Sequence, residues 1–276
     1  MSLLLKTVKA GHGLRWITDA LRLFARKPVA FTSLFALFLV AALLVSLVPL
    51  LGGIVQMAAL PMLSLGFMVA AQSALLDGPV HPRQFIEPLQ GDATRRRALL
   101  ILCGLYGLLA VGILLLANAI SDNAWMRLQD LLVKGRAAQP QIDALLSEPG
   151  VLTGMLTALT LGSLLSVTFW HAPALVHWGG QGWGQALFSS TLALWRNRGA
   201  FAVYTLGWFA LVMSFALVTG LVLGLLGAQQ FTNFIGVPAG LVLSAAFYIS
   251  LLFCFNDSFG GSVPPGVDNA LPAEQP

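Results

Sequence analysis

The chain has 276 residues, of which 57% are hydrophobic and only 9% charged, with a mean hydropathy of +0.83 and a formal net charge of +4. A soluble domain carries about 45–50% apolar and about 25% charged residues, so the composition excludes an ordinary aqueous globule, as well as disordered, collagen-like and disulfide-scaffold chains. It indicates a polytopic membrane protein. In such a chain the basic excess is read by its place relative to the spans, and no nucleic-acid partner is expected.

Residues 1–28 form the first unit. Leu3-Leu4-Leu5 is shorter than the roughly 7–15-residue apolar core of a signal peptide, and basic Lys6, Lys9 and Arg15 follow it, so the first hydrophobic span is expected to be retained. From Gly13 to Lys27 a helical period of about 100° per residue gathers Arg15, Asp19, Arg22 and Arg26 on one side. Trp16, Ile17, Ala20, Leu21 and Phe24 fill the other, and Pro28 ends the helix. This is the pattern of an elbow lying in the membrane interface, with its basic face towards anionic head groups.

A helix rising about 1.5 Å per residue needs about 20 apolar residues to cross the hydrocarbon. Six stretches meet that length: 29–51, 54–76, 98–120, 151–176, 200–226 and 231–255. None contains Asp, Glu, Lys or Arg. Barrel strands alternate in short segments, whereas these runs are continuous, and an unpaired backbone is not tolerated in lipid. The expected fold class is therefore all-α: a polytopic bundle of six transmembrane helices in three hairpins, with interfacial amphipathic helices. Gly52-Gly53 and residues 227–230 read as tight turns of the first and third hairpins. Residues 121–150, between the third and fourth spans, read as two short amphipathic helices. Trp125, Leu128, Leu131 and Leu132 recur at helical spacing, Ser121 or Asp122 is a candidate cap, and Pro140 breaks the pattern before Ile142, Leu145 and Leu146.

Orientation follows from the connections. Lys6, Lys9, Arg15, Arg22, Arg26, Lys27, Arg83, Arg95, Arg96, Arg97, Arg196 and Arg198 fall on one side, and only Arg127, Lys134 and Arg136 on the other. The positive-inside rule makes the richer side cytoplasmic and puts both termini there, with 121–150 periplasmic. The tail 257–276, rich in Gly and Pro without apolar periodicity, reads as a disordered cytoplasmic segment.

A second elbow, 183–198, echoes the first 171 residues on: Gly11-x-Gly13 aligns with Gly182-x-Gly184, and Leu21-x-Leu23-Phe24 with Leu192-x-Leu194-Trp195. Each precedes a span, a tight turn and a returning span, and the second copy is the less amphipathic. Pro82–Gln90 is a shorter candidate elbow before the third span. The repeat is parallel, since both copies start on the same side.

The spans carry little chemistry. Ionisable groups at membrane depth mark ion paths and proton relays, and here the polar residues are mild, among them Gln56, Ser64, Asn118, Thr157 and Ser244. Small residues recur every fourth position: Gly66-Ala70-Ala74, Gly154-Ala158-Gly162-Ser166, Ala216-Gly220-Gly224 and Gly236-Gly240-Ser244. Such stripes let helices approach, so Gly154, Gly162, Gly220, Gly224, Gly236 and Gly240 are candidate packing positions within the bundle, with a seam between copies as the lesser reading. His171 and His177, beside Trp170, Trp178 and Trp183, read as an interfacial aromatic belt rather than a metal site. Cys103 and Cys254 lack any paired spacing. No Walker, Rossmann or GxSxG fingerprint occurs, so no catalytic residue, metal or cofactor is expected.

The elbow-plus-hairpin layout, Gly66-Phe67-Met68 with Asp77-Gly78-Pro79, and Ala172-Pro173-Ala174-Leu175-Val176 with Ala186-Leu187 and Arg196-Asn197 resemble an uncharacterised family of six-helix inner-membrane proteins, known mainly from beta-proteobacteria. The family is similar in layout to YciC-like proteins and to the membrane-anchor domains of some glycerophosphodiesterases. The resemblance implies a multi-pass protein of the bacterial inner membrane and carries over no catalytic residue. The expectation is a non-enzymatic protein that organises lipid or a partner protein at the cytoplasmic leaflet. Arg15, Arg22, Arg26, Lys27, Arg196 and Arg198 are its candidate anionic-lipid contacts. Membrane lipids are the expected partner, a second membrane protein or a second copy remains open, and the alternative is a carrier for an apolar or amphipathic solute.

Overall fold

The computed structural model describes residues 3–48, 51–133 and 139–260. Lys134, Arg136 and the tail from 261 onward lie outside the described residues, as do the side chains of Trp125 and Leu132. The described chain runs through α1 (His12–Arg26), α2 (Pro28–Ser46), α3 (Leu51–Leu75), α4 (Ala93–Ile120), α5 (Ala124–Val133), α6 (Gln139–Leu146), α7 (Pro149–Phe169), α8 (Ala172–His177), α9 (Trp183–Arg196), α10 (Arg198–Leu225) and α11 (Thr232–Phe259). No strand occurs among the described residues. Six helical stretches are long and apolar enough to cross a membrane, the fourth being α7 continued through α8. The architecture is an all-α polytopic bundle.

Local chemistry sets the boundaries, and several differ from the sequence reading. Pro28, whose missing N–H costs nothing at a helix start, opens α2 one residue after Lys27 leaves the helical region. Gly52 and Gly53 are not the turn but lie in the first turn of α3. A Cβ on Gly52 would meet the Val45 carbonyl oxygen at 2.5 Å, so this glycine serves the close approach of α2 and α3. The fourth span is not continuous: the helix breaks at Trp170–His171 and resumes in α8, with the His171 N–H donating to Ser190 Oγ on α9. Neither Ser121 nor Asp122 caps α5. Ser121 Oγ donates back to the Asn118 carbonyl, and Asp122 and Asn123 turn the chain at positive φ. The candidate third elbow forms two 3₁₀ turns, Pro82–Phe85 and Glu87–Leu89. Finally, α11 runs on to Phe259, so Asp257 and Ser258 belong to a helix and not to a tail.

Each hairpin is preceded by an elbow that packs on the returning helix of the hairpin before it. The 3₁₀ turns pack on α3, α9 packs on α7, and α1, first in the chain, packs on α11, the last helix. The arrangement closes into a ring, and the two ends of the described chain meet there, with the Lys6 N–H donating to the Ser258 carbonyl at 2.8 Å. The end of the bundle where they meet is called the terminal face below.

The core lies in the half of the bundle nearest this face. It draws on α3 from Leu63 to Leu75, α11 from Ala245 to Phe259, the N-terminal part of α4 (Ala98, Leu99, Leu102), the whole apolar run of α8, and α1. Phe35, Phe67 and Tyr248 pack together within it, with the Phe67 and Tyr248 rings stacked 5.4 Å apart and Phe35 tilted against both. Away from the face the helices turn apolar side chains outward, including Leu43 and Leu44 of α2, Leu217 and Leu221 of α10, and Phe234 of α11. In lipid such exposure carries no hydrophobic penalty.

Candidate functional site

The two elbows, alike in sequence, are used in opposite ways. Helix α1 does not lay its apolar face on the membrane. Trp16 is 1% exposed, and Ile17, Ala20, Leu23 and Phe24 are buried with it. Gly13 makes the docking possible. A Cβ there would run into the Ala200 carbonyl oxygen and come within 2.6 Å of the Tyr204 nitrogen, both backbone atoms of α10. The Trp16 ring packs on Phe201 and Tyr204, with centroids 5.2 and 5.8 Å away.

On the other flank, Trp16 Nε1 donates to Asp257 Oδ2 at 2.7 Å, and His12 Nδ1 lies 2.8 Å from the same oxygen. The segment before α1 is tied through Asn197, whose Oδ1 accepts from the Val8 N–H and whose Nδ2 donates to the Lys6 carbonyl. The opposite face of α1 turns Arg15, Arg22 and Arg26 outward. Asp19 sits among them, bonded to Arg22. Burial raises its carboxyl above the ordinary range, and the charges of Arg22 and Arg15 offset only part of that rise. Lys27 is half-buried, and its ammonium donates to the Gly78 carbonyl.

Helix α9 has two apolar faces. Ala186, Ser190, Ala193 and Leu194 bury against α7 and its neighbours. Phe188, Leu192 and Trp195 recur on another side of the helix and stay outward, with Phe188 69% and Trp195 70% exposed. This explains its weaker amphipathic pattern, since apolar residues on two sides dilute the contrast between faces. At its end the Arg198 guanidinium stands 5.7 Å over the Trp195 ring. Arg196 Nε donates to Thr7 Oγ1 at 3.1 Å, which joins α9 to the segment before α1. The six sequence-nominated basic residues thus fall into three settings: Arg15, Arg22 and Arg26 on α1, Arg196 and Arg198 at the α9–α10 corner, and Lys27 bonded inward.

The packing glycines divide differently. A Cβ on Gly154 would lie 2.7 Å from the Ala117 carbonyl oxygen, so Gly154 seats α7 on α4. Gly162, Gly220, Gly224, Gly236 and Gly240 face nothing within 4 Å, and the expectation that they pack inside the bundle is corrected. They lie on helix surfaces the rest of the described chain does not reach.

His171 is corrected too. It is no belt residue but 0% exposed, boxed by the rings of Phe201, Phe255 and Phe259, with no partner on either ring nitrogen among the described residues. Sequence reasoning missed Asp257 and Asn197, the two residues that fasten α1. The available signal was position. Asn197 sits between two spaced arginines at a helix junction, and Asp257 lies three residues past Cys254, on the same face if the helix continues.

The chain is 32% identical over 259 residues to a protein of Burkholderia thailandensis described as a "probable inner membrane protein", a match covering 93% of this chain and 94% of that one. No family model matches it. No solved structure matches it either. With that identity sustained across nearly the whole of both chains, and with six apolar helices of spanning length, the chain belongs to the family of that inner-membrane protein.

Proposed function

We propose that the chain is a non-enzymatic protein of the inner membrane that holds anionic lipid at its terminal face, and that this face is cytoplasmic. The observation that carries the reading is the α9–α10 corner. An outward stripe of Phe188, Leu192 and Trp195 ends beneath the Arg198 guanidinium, with Arg196 one position from Trp195. Aromatic side chains of this kind seat at the depth where acyl chains meet head groups. Arginine offers a planar fork of donors to a phosphate, and each basic residue near an anionic surface contributes about 1 kcal/mol. Arg15, Arg22 and Arg26 extend the same charge along α1. The sidedness rests on the distribution of Lys and Arg among the connections. Phe35, Phe67 and Tyr248 pack together between α2, α3 and α11 in the core, which favours this reading over a carrier.

The test is native mass spectrometry after purification in lipid nanodiscs containing phosphatidylglycerol. Replacing Arg196 and Arg198 by Gln is expected to lower retained phosphatidylglycerol several-fold, and adding Arg15, Arg22 and Arg26 to the set to lower it further. Retention equal to that of the unsubstituted protein in both variants sinks the reading.

A further inference from the structure

Helices α10 and α11 are consecutive and joined by a tight turn at Gly227; near the terminal face α1 packs on both, and beneath it the Tyr204 hydroxyl and Ser250 Oγ, 2.7 Å apart, link the two directly. Helix α10 packs on α1 more extensively than on any other helix. Its Gly207 lies against the ends of Leu14 and Ile17 on α1, where a Cβ would meet them at 2.9 and 2.7 Å. The slot that α1 fills is lined by Phe201, Tyr204 and Trp208 of α10 and by Ala246, Ser250 and Cys254 of α11. Ser250, Cys254 and Asp257 follow one another at helical spacing, so the face of α11 that reaches Tyr204 also reaches Trp16.

Two properties make this contact different from that of an ordinary core helix. First, α1 has two places to bury its apolar face. A 15-residue helix with one apolar side and an arginine-bearing opposite side is equally suited to the membrane surface, so leaving the slot moves Trp16, Ile17 and Phe24 into the interface and not into water. Second, four hydrogen bonds tie its N-terminal end and the segment before it to Asp257 and Asn197, while Lys27 at its other end donates to the Gly78 carbonyl. At the other end a single non-helical residue, Lys27 at φ −139° and ψ 55°, separates it from α2.

We propose that α1 is a displaceable wedge: anionic lipid draws it out of its place between α10 and α11 and onto the membrane surface, which opens the slot to water at the terminal face. The inference rests on the lipid reading above for the force that moves α1, since Arg15, Arg22 and Arg26, exposed on the docked helix, come closer to the head groups when α1 lies flat.

Cys254 reports the state of the slot, being fully buried beside Trp16 and Tyr204. In a Cys103→Ser background, labelling by N-ethylmaleimide is followed in vesicles of phosphatidylcholine alone or mixed with phosphatidylglycerol. Labelling is expected to be several-fold faster with phosphatidylglycerol, to lose that acceleration when Arg15, Arg22 and Arg26 are replaced by Gln, and to be fast in both lipids in Asp257→Ala. Uniformly slow labelling, including in Asp257→Ala, overturns the wedge. Fast labelling in Asp257→Ala without any effect of phosphatidylglycerol on the parent overturns anionic lipid as the force that moves α1, whatever the Arg196 and Arg198 variants show of lipid retention at the α9–α10 corner. Should Asp257→Ala fail to fold, spin labels at Thr18→Cys and Gln90→Cys, with both native cysteines replaced by Ser, give the same decision. A second distance population must appear with phosphatidylglycerol, and a single unchanged one refutes the proposal.

Discussion

Gly13→Ala puts the docking of α1 to its sharpest test. In an open helix the change gains up to about 1 kcal/mol, because alanine loses less conformational freedom on folding. At Gly13 the added methyl collides with the Ala200 carbonyl and the Tyr204 nitrogen, and neither can swing aside because both belong to the backbone of α10. Overpacking costs about 1–3 kcal/mol, and obstacles of this rigidity put the site at the upper end. The net loss is about 2 kcal/mol, which at about 2–4 °C per kcal/mol for a chain of this size lowers the melting temperature by roughly 5 °C. The assay is thermal unfolding of purified protein in one detergent, with Gly220→Ala and Gly240→Ala as controls whose methyls meet nothing within 4 Å. The controls are expected to match or exceed the parent. An unchanged Gly13→Ala refutes the docking, whereas a loss at Gly220 or Gly240 would place a second copy of the chain on those helices.

Three further outcomes follow from particular side chains. His171→Phe should hold or raise the melting temperature, since an unpartnered buried polar group costs about 1–3 kcal/mol and the pocket is walled by three phenylalanine rings. A clear drop would mean the imidazole has a partner. Asp19 binds its proton more tightly folded than unfolded, so the stability it contributes is present at low pH and is lost as pH rises through the window between its ordinary and raised values. Asp19→Asn should therefore flatten the pH dependence of melting through that window, and an unchanged profile contradicts the burial described. Arg127 and Glu148 form a two-pronged but exposed pair at 3.1 and 2.6 Å. Water and salt screen such a pair, so Arg127→Ala should leave the melting temperature in 0.5 M salt within error of the parent.

The membrane-spanning architecture was legible because one physical fact dominates it: charge is excluded from hydrocarbon, and six uncharged runs of spanning length leave little alternative. The partner of each face was not legible. The spacing of Trp16, Ile17, Ala20 and Phe24 declares that α1 has an apolar side, but lipid and protein are equally apolar covers, and only the fold decides between them. The elbow at 183–198 was legible as α9, but the same ambiguity hid how it is used, its blurred pattern reflecting two apolar faces rather than a weak helix. Glycine stripes misled for a related reason. Every fourth position marks a smooth helix surface, and in the case of Gly154 a neighbour uses it, while for Gly236 and Gly240 no described residue does. Asp257 was assigned to the tail because the hydrophobic run stops near Phe255. A helix, however, can continue past the membrane boundary as long as its backbone bonds are made, and the run to Phe259 brings that carboxylate to Trp16.

The most direct measurement of the account as a whole is the sidedness of the terminal face, because lipid binding at the α9–α10 corner and the response of α1 both need the cytoplasmic leaflet beside it. With Cys103 and Cys254 replaced by Ser, a single cysteine is placed at Thr18 on α1 or at Ser147 after α6, both exposed positions at opposite ends of the bundle. Cells whose outer membrane has been permeabilised are treated with a maleimide that cannot cross the inner membrane. Modification of Thr18→Cys only after the inner membrane is opened, with Ser147→Cys modified before, is the predicted result. The reverse order contradicts the account.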